Sequence, residues 1–336
     1  MPVKQYVKKL LLWYNENGRL LPWRGVPDPY LIWVSEIILQ QTRVQQGFGY
    51  YERFIQTFPT VFSLALSPLE AVLKAWEGLG YYARARNMHR CAVIIVNKFQ
   101  GIFPKDLKEL LELPGVGPYT ARAIASFAFN QRVAVLDGNV FRILSRFYAD
   151  ETPINASAAK KHFQELADSW ACDTPPADFN AAMMDLGSLV CTPQKPKCIT
   201  CPLAECCRAY IQKVPTSYPR LLPAKIRAKR FLVFQLMTSL TKNELWLRKR
   251  PENGLWGGLW ELPNYETTEQ EWSNIAIHQG VVKPFKHILT HITYWITAVY
   301  SNSTFFDEGI WANTQKLAEL PLSKPTHKIL RSLPDF

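Results

Sequence analysis

The sequence predicts a multi-domain protein of mixed class, in which an all-helical α domain is followed by an α+β domain. The chain has 336 residues, which exceeds the size of one ordinary hydrophobic core. Apolar residues recur at helical spacing over residues 1–212, whereas strand-like alternation dominates residues 231–336. Between them, residues 213–230 contain three prolines and six Lys or Arg without an acidic residue, a composition typical of a linker.

Two predicted helices enclose a tight turn that contains Gly115 and Gly117. Pro118 suits the first position of the second helix. The two glycines allow backbone N–H groups to approach an anion, and the helix N-terminus favours negative charge. The apolar faces are Leu107, Leu110, Leu111 and Leu113 in the first helix, and Ala121, Ile124, Ala125 and Ala128 in the second. The pattern predicts a helix–hairpin–helix that binds DNA phosphate, with an ordinary helical corner as the alternative.

Local signals predict the other elements. The segment "SPLEAVLKAWEGLG" predicts a helix capped by Ser67 and stopped at Gly78. Beyond the linker, strands are predicted in "RFLVFQLMTSL", "ELWLRKR" and "HITYWITAVY". The Gly-rich loop "NGLWGGLWELP" lies between the second and third of these strands.

The charge and hydropathy of the chain limit which partners and which location can be expected. A formal net charge of +11 favours polyanions, nucleic acid first. No segment approaches the roughly 18 apolar residues that span a bilayer, and the first helical segment lacks the features of a signal peptide. We therefore expect a soluble, cytoplasmic protein.

Five of the seven cysteines lie in the segment "CTPQKPKCITCPLAECC". Disulfides fit poorly because Cys91 and Cys172 are isolated and no secretion signal is present. Four thiolates in one short loop suit a 4Fe–4S cluster, and zinc is the alternative. The spacing C-x6-C-x2-C-x5-C is formed by Cys191, Cys198, Cys201 and Cys207. From spacing alone, the adjacent Cys206 competes with Cys207 as the last ligand.

Two carboxylates stand in positions that suit catalysis. Glu36 is the one acid in the apolar segment "YLIWVSEIILQQT", where burial would raise its pKa and let it carry a proton at neutral pH. The alternative is a helix-surface glutamate. Asp137 ends an apolar run before a predicted helix, so it can act as N-cap or as an ionised carboxylate whose pKa the helix terminus lowers. A neutral acid and an anion on opposite sides of a sugar bond would form a glycosidase-like pair.

These features together resemble the endonuclease III-like DNA glycosylase superfamily, and most closely its adenine DNA glycosylases of the MutY type. The segments that carry the resemblance are "LPWRGVPDPYLIWVSEIILQQTRV", "AWEGLGYYARARN", "LPGVGPYTARAI", "LDGNVFRILSR", "FNAAMMDLGSLVCTP" and "GLWGGLWELP". They follow one order over nearly the whole chain. The resemblance implies an all-helical helix–hairpin–helix glycosylase domain with an iron–sulfur cluster loop at residues 191–207, followed by a Nudix-like lesion-recognition domain at residues 231–336.

The resemblance also implies a reaction. Members of the family remove adenine mispaired with 8-oxoguanine or guanine after flipping the nucleotide out of the duplex. Glu36 matches the general acid that protonates adenine N7, and Asp137 matches the carboxylate that stabilises the oxocarbenium-like sugar. Tyr119 and Asn139 match residues that support this site. Because Tyr119 replaces the lysine of bifunctional relatives, the resemblance implies base removal with little strand cleavage.

The implied cofactor is one 4Fe–4S cluster on Cys191, Cys198, Cys201 and Cys207, in a loop where Lys195 and Lys197 would contact DNA phosphate. The implied partner is double-stranded DNA with an adenine mispair, bound by a monomer without a membrane, as a nucleoid-associated activity of the bacterial cytoplasm. The positions that match DNA-contact residues of the family are Arg24, Gln41, Tyr81, Gly115, Gly117, Thr290 and His291.

Two positions depart from the family pattern. Relatives carry Phe-Ser-His where this chain has Leu289, Thr290 and His291, so the hydroxyl and the imidazole remain but the aromatic ring is lost. Arg122 stands where a small glycine is usual, which adds a candidate phosphate contact.

The acids of the predicted Nudix-like domain lack the spacing of a Nudix metal site. We therefore expect this domain to recognise 8-oxoguanine and not to hydrolyse a pyrophosphate. The acids concerned are Glu266, Glu269 and Glu271.

Three alternative functions are weighed against adenine removal. A glycosylase acting on thymine opposite guanine is disfavoured by Glu36, because protonation of a purine N7 is what requires an acid there. A bifunctional endonuclease for oxidised pyrimidines is disfavoured by the missing lysine and the additional C-terminal domain. A non-catalytic DNA-binding or redox-sensing iron–sulfur protein requires Glu36 and Asp137 to be purely structural.

Overall fold

The computed structural model describes residues 3–171, 174–223, 226–239, 243–301, 308–334 and 336. The chain divides into two compact units that are each built from two segments. The first unit comprises Met1–Gly47 and Ile94–Pro223, and the second comprises Phe48–Val93 and Ala224–Phe336. The second unit therefore joins helices of the N-terminal half to the α+β part, and the boundaries at residues 212 and 231 stay predictions. Cys172 lies outside the described residues.

The N-terminal part is helical, as predicted. Its helices are α1 (Val3–Asn17), α2 (Pro29–Ile38), α3 (Val44–Thr57), α4 (Val61–Leu66), α5 (Leu69–Ala75), α6 (Ala83–Phe99), α7 (Leu107–Glu112), α8 (Pro118–Phe127), α9 (Gly138–Tyr148), α10 (Ala159–Ala171), α11 (Pro176–Leu189) and α12 (Arg208–Ile211). Among the described residues, no helix combines the length and the hydropathy that crossing a membrane requires.

The core of the first unit lies between α1, α9, α10 and α11. Its largest buried side chains include Leu10, Phe163, Trp170 and Phe179. Four cysteines of the predicted cluster loop, Cys191, Cys201, Cys206 and Cys207, pack against this core from one side. The same helices therefore position the cysteine loop and the N-terminus of α9, where Asp137 lies.

The helix–hairpin–helix consists of α7, a turn and α8. Gly115 adopts a left-handed φ of 78°, which a residue with a side chain rarely takes. Gly117 is the N-cap of α8 and Pro118 its first residue, as predicted. On α7, Leu110 is buried, but Leu111 is 42% exposed and does not belong to the predicted apolar face. Adjacent residues of a helix point in directions about 100° apart, so Leu110 faces the core and Leu111 does not.

The predicted cap of α5 is wrong. The Ser67 hydroxyl donates to the carbonyl of Ser63 at 2.7 Å, back into α4, and Pro68 occupies the N-cap position. The helix ends at Ala75, and Gly78 lies in the turn that follows, with a φ of 93°. Ser67 fails as a cap because the preceding short helix already uses its hydroxyl.

The second unit contains two sheets, which confirms the α+β prediction. The elements of its C-terminal segment are β1 (Ala228–Leu236), β2 (Leu245–Lys249), β3 (Trp260–Glu261), β4 (Asn264–Thr267), α13 (Glu269–His278), β5 (Phe285–Ile288), β6 (Ile292–Tyr300), β7 (Gly309–Ala312), α14 (Thr314–Glu319) and α15 (Lys324–Leu330). The sheet orders are β4-β1-β6-β5 and β3-β2-β7. Strands β1 and β6 pair in parallel, with Phe231 opposite Trp295, and Trp272 of α13 packs against both rings.

The first half of the predicted linker is fixed to the first unit. The backbone N–H of Leu222 donates to Asn155 Oδ1 at 2.7 Å, and Ile154 N donates to the carbonyl of Arg220 at 3.0 Å. Arg146 Nε donates to the carbonyl of Tyr218 at 3.1 Å. This stretch is therefore not a free tether, while residues 224 and 225 lie outside the described residues.

Candidate active site

Glu36 occupies a buried position on α2. Asp28 caps this helix by accepting the backbone N–H groups of Tyr30 and Leu31, and Pro29 begins it. Apolar residues cover nearly the whole circumference of the helix, so a single acid among them must be buried. The side chain is only 6% exposed, which confirms the predicted burial and excludes the surface alternative.

The environment of Glu36 favours its protonated form. Burial raises the pKa of this carboxyl to about 7, and the negative charge of Asp137 contributes to the rise. A hydrogen bond from the Tyr119 hydroxyl to Oε2, at 2.6 Å, and the positive charge of Arg24 oppose it. Near neutral pH a large fraction of Glu36 therefore carries a proton. The electrostatic coupling also shows that the structure brings Glu36 and Asp137 together.

Asp137 is the N-cap of α9, as predicted. Its Oδ1 accepts the backbone N–H groups of Asn139 and Val140, both at 2.8 Å, and its Oδ2 accepts from Asn139 Nδ2 at 2.7 Å. The predicted lowering of its pKa is wrong, because burial raises the pKa by more than these hydrogen bonds lower it. The helix terminus orients the carboxylate, but desolvation sets the direction of the shift.

Arg142 supports Asp137 through Asn139. Its Nη2 donates to Asn139 Oδ1 at 2.8 Å and to the carbonyl of Gly187 at 2.7 Å. Its Nε donates to the carbonyl of Cys191 at 2.7 Å. Because Arg142 donates to Oδ1 and the Asp137 carboxylate accepts from Nδ2, Asn139 has one orientation, in which Nδ2 faces the carboxylate. The sequence indicates this support only weakly, since Arg142 looks like a surface residue in the predicted helix.

Replacing Gly187 by alanine is expected to lower the rate of base removal about 100-fold. A Cβ at this position would lie 2.4 Å from Cβ of Asn139, so the Asn139 backbone must move and Asp137 loses its partner. Helix propensity favours alanine, so a loss cannot come from the helix itself. The test is a single-turnover excision rate, with the exposed neighbour Ser188→Ala as control. A rate within threefold of the natural protein would contradict this role of Gly187.

Arg24 is held beside the site by Asp185. Its Nη1 and Nη2 donate to the two carboxylate oxygens of Asp185 at 2.7 and 2.8 Å, and Arg19 binds the same carboxylate at 2.6 Å. The Asp185 side chain is fully buried, so it depends on these two guanidinium groups for compensation. Sequence reasoning missed Asp185, for which the available signal was one acid in the apolar segment "NAAMMDLGSLV". Whether Arg24 contacts DNA stays a prediction.

Gln41 and Tyr81, both predicted to enter the base stack, adopt left-handed backbone conformations. Their φ angles are 59° and 48°. Side-chain-bearing residues take this conformation at a cost, and it concentrates at functional sites. Within the second unit, the hydroxyls of Tyr81 and Thr290 share a hydrogen bond of 2.6 Å, while His291 is exposed beside them. The structure thus joins two of the predicted DNA contacts, and Gln41 belongs to the first unit.

Arg122 already has a carboxylate partner. Its Nη1 donates to Asp168 Oδ1 at 2.8 Å and to the carbonyl of Ala134 at 3.2 Å. A phosphate contact would have to compete with this ion pair. The acids of the Nudix-like part are also engaged, because Glu266 accepts from Arg230 at 3.2 Å and Glu271 accepts from the hydroxyl of Thr267.

The cysteine loop encloses one cavity. The cysteines that line it are Cys191, Cys198, Cys201 and Cys207. Cys206 is not among its lining residues and instead interacts with the hydroxyl of Tyr6. Within the described ranges, no three His, Cys, Asp or Glu side chains gather closely enough to hold a single metal ion. Lys195 and Lys197 are exposed on the same loop.

The thiols of this loop lie in surroundings that favour their neutral form. Burial raises the pKa of Cys201 to about 12, and it also raises those of Cys198 and Cys207. Arg146 Nη1 donates to the Cys191 sulfur at 3.3 Å. Partly buried thiols with raised pKa values would stay protonated unless metal cations stabilised their thiolates.

Comparison with known proteins identifies the family. A model of the HhH-GPD superfamily of base excision DNA repair proteins matches residues 34–169, and a NUDIX domain model matches residues 236–332. An adenine DNA glycosylase of Buchnera aphidicola from Schizaphis graminum is 36% identical over 98% of this chain and 99% of its own length. The mouse adenine DNA glycosylase is 32% identical over 99% of this chain and 78% of its own length.

Solved structures agree on the fold of the helical part. A thermostable thymine-DNA glycosylase matches with a TM-score of 0.58 and 30% identity, covering 62% of this chain and 97% of its own. An endonuclease III–DNA complex matches with a TM-score of 0.53 over 63% of this chain and 98% of its own, at 21% identity.

The fold and the two matching domain models define a helix–hairpin–helix DNA repair glycosylase with a Nudix-like second part. Two relatives that are similar over almost the whole chain identify the particular family within this class. The chain belongs to the adenine DNA glycosylase family and is an enzyme of base excision repair. The family, fold class and enzyme class predicted from the sequence are therefore confirmed.

Proposed function

We propose that this enzyme hydrolyses the N-glycosidic bond of adenine mispaired with 8-oxoguanine or guanine in double-stranded DNA and leaves the strand intact. One observation carries the proposal. Glu36, whose pKa burial raises to about 7, accepts a hydrogen bond from Tyr119, and the negative charge of the partly buried Asp137 contributes to the rise in its pKa. A carboxyl that can hold a proton beside a second carboxylate is the arrangement that glycosidic bond cleavage requires.

The proposed reaction begins with proton transfer from Glu36 to N7 of the flipped adenine. Protonation makes the base a leaving group, and the bonding electrons of the C1′–N9 bond move to adenine. The carboxylate of Asp137 stabilises the positive charge that develops on the sugar, in the orientation that Asn139 fixes. Water then adds to C1′ and releases a proton, and Glu36 regains its proton from solvent. The products are free adenine and an abasic site.

The chemistry of Tyr119 supports base removal without strand cleavage. Burial and the nearby carboxylates raise the pKa of its phenol well above its ordinary value of 10. The hydroxyl therefore stays protonated and donates to Glu36. It cannot form the Schiff base by which an amine would attack C1′ and promote β-elimination.

The opposite base is proposed to be recognised by the second unit. Thr290 and His291 retain a hydroxyl and an imidazole, and the hydrogen bond shared by the hydroxyls of Thr290 and Tyr81 supports a joint role with a residue predicted to enter the duplex. The departure at Leu289 removes an aromatic contact, so we expect the preference for 8-oxoguanine to depend on polar contacts. A monomer acting in the cytoplasm stays a prediction.

The cysteine loop is proposed to hold one 4Fe–4S cluster. Cys191, Cys198, Cys201 and Cys207 line one cavity, and four thiolates in one compact loop suit a cluster in which each thiolate binds a different iron. The lining supports Cys207 over Cys206 as the last ligand, and a zinc site is the alternative that metal analysis distinguishes. When bound, the cluster would order the loop that carries Lys195 and Lys197.

Replacing Cys198 by serine is expected to abolish bound iron and acid-labile sulfide in the purified protein. The matched variant Cys206→Ser is expected to retain both, since Cys206 does not line the cavity. The measurement is iron, zinc and sulfide content per chain, together with visible absorption. Equal losses in the two variants, or stoichiometric zinc in the natural protein, would contradict the assignment.

A cleavage assay tests the proposed function directly. The purified protein is incubated with a duplex that carries a labelled adenine opposite 8-oxoguanine, and the strand is analysed on a denaturing gel with and without alkali. Cleavage only after alkali is the expected result. Cleavage without alkali would make the enzyme bifunctional. A product from thymine opposite guanine, but not from adenine, would favour the activity named for the thymine-DNA glycosylase that matches the helical part.

A further inference from the structure

A strained loop connects α5 to α6 in the second unit. Gly78 and Gly80 adopt left-handed φ angles of 93° and 70°, and Tyr81 follows with 48°. Tyr81 is 54% exposed at the tip of this loop. A tyrosine keeps a left-handed backbone only where the surrounding structure holds it there. The contacts that hold the loop therefore decide where the Tyr81 ring stands.

The base of the loop is bound to the C-terminal part of the same unit through Glu77. This carboxylate accepts from His327 Nε2 at 2.7 Å and from the backbone N–H of Leu322 at 3.2 Å. It also accepts from Lys74 Nζ at 2.8 Å. On the far side of the loop, the Tyr82 hydroxyl donates to the carbonyl of Leu322 at 3.4 Å. Both polar groups of the Leu322 backbone thus bind the loop.

Glu77 is suited to act as a fixed anchor because it stays ionised. Burial would raise its pKa, but the hydrogen bonds from His327, Lys74 and Leu322 outweigh burial and lower the pKa to about 2. Hydrogen bonds to a carboxylate are stronger than those between neutral groups. The base of the loop is held by residues 322–327, whereas its tip is held by Thr290. Two separate parts of the Nudix-like fold therefore hold one loop.

We propose that Glu77 and His327 are positioning residues that fix the Tyr81 loop on the Nudix-like part and thereby set discrimination for the base opposite adenine. This inference rests on the proposed function. A contact with 8-oxoguanine at Thr290 or His291 can favour the reaction only if it is made together with insertion of Tyr81. When the loop is anchored, one binding event makes the contact with 8-oxoguanine and inserts Tyr81. Without the anchor, the Tyr81 loop and the Nudix-like part bind DNA independently. The base opposite adenine then no longer influences the rate of excision.

The test compares single-turnover excision of adenine opposite 8-oxoguanine with excision opposite guanine, using the full chain. Glu77→Gln and His327→Leu are expected to reduce the ratio of the two rates at least about tenfold, the effect typical of losing a charged hydrogen bond. The rate opposite guanine is expected to stay within about threefold, which shows that each variant is folded. The conservative His327→Gln is expected to retain the ratio, because its amide can donate to Glu77.

Glu70→Gln is the matched control. Glu70 accepts from the indole of Trp260 and lies 3.7 Å from Lys249, so it joins the same two parts of the unit away from the loop. In Glu70→Gln, the ratio of the excision rates opposite 8-oxoguanine and opposite guanine is expected to equal that of the natural protein. An unchanged ratio in both Glu77→Gln and His327→Leu, or an equal fall in Glu70→Gln, would overturn the inference. A natural protein that excises adenine at the same rate opposite both bases would also overturn it. A natural protein that excises no adenine would instead refute the proposed function.

Discussion

Replacing Glu36 by glutamine is expected to lower the rate of adenine removal about 1000-fold while the protein stays folded. A glutamine can still accept the hydrogen bond from Tyr119, but it has no proton to give to the base. In the natural protein the same proton is lost as the pH rises through about 7, so the rate is expected to fall about tenfold per pH unit above that value. The measurement is the single-turnover rate as a function of pH, with exposed Glu16→Gln as control.

The same substitution is expected to stabilise the protein at alkaline pH. The pKa of Glu36 is raised by folding from its ordinary 4.5 to about 7, so its stabilising contribution is complete below about pH 4.5 and is lost as the pH rises through 7. At about 1.4 kcal/mol per pKa unit, the free energy of unfolding falls by about 3 kcal/mol over this range. Glutamine does not titrate. Urea unfolding at about pH 5 and pH 8 should show this loss in the natural protein alone, and equal losses in both proteins would refute the buried-acid assignment.

Replacing Asp137 by asparagine is expected to lower the rate of adenine removal by about 1000-fold or more and to leave DNA binding within a few-fold. Asparagine is as good an N-cap as aspartate, so α9 keeps its cap and the stability changes little. The amide carries no negative charge, so the positive charge that develops on the sugar loses its stabilisation. Excision and gel-shift affinity are measured on the same mispaired duplex.

The exposed Asp178→Asn on α11 is the control for this substitution. It removes one negative charge from the same unit without touching the site. If Asp137→Asn retained activity within about tenfold, Asp137 would be a cap alone. The loss of excision with retained binding would exclude a non-catalytic DNA-binding protein.

The sequence predicts those parts of the site that local patterns determine. Glu36 is one acid in an almost wholly apolar helix, so the pattern indicates burial, although the choice over a surface position required the structure. Asp137 directly precedes a helix with one apolar face, which identifies it as an N-cap. The turn with Gly115 and Gly117 is likewise local, since its conformation depends on residue types within five positions.

Features that depend on distant segments were not predictable from the pattern. Asp185 meets Arg24 across 161 positions of the sequence, and Arg142 meets Gly187 across 45. The direction of the Asp137 pKa shift was predicted wrongly for the same reason. Burial, which depends on the tertiary fold, outweighs the local hydrogen bonds at the helix terminus.

The division into units shows a further limit of sequence patterns. The helical segment Phe48–Val93 groups with Ala224–Phe336 and not with the other helices. Composition changes at the linker, but contacts within this unit, such as that of Glu77 with His327, join single polar residues that are 250 positions apart. Such pairs leave no periodic signal in either segment.

The left-handed backbones of Gln41 and Tyr81 have a consequence for recognising such enzymes. Selection for a stable fold alone would replace both residues with glycine or asparagine, which adopt this conformation more readily. The backbone angle alone does not identify such a place, because Trp256 has a φ of 55° with its ring buried. Gln41 and Tyr81 combine this backbone with an exposed side chain, so surveys of other glycosylase structures could use the two criteria together to select candidate DNA-inserting residues before any complex has been determined.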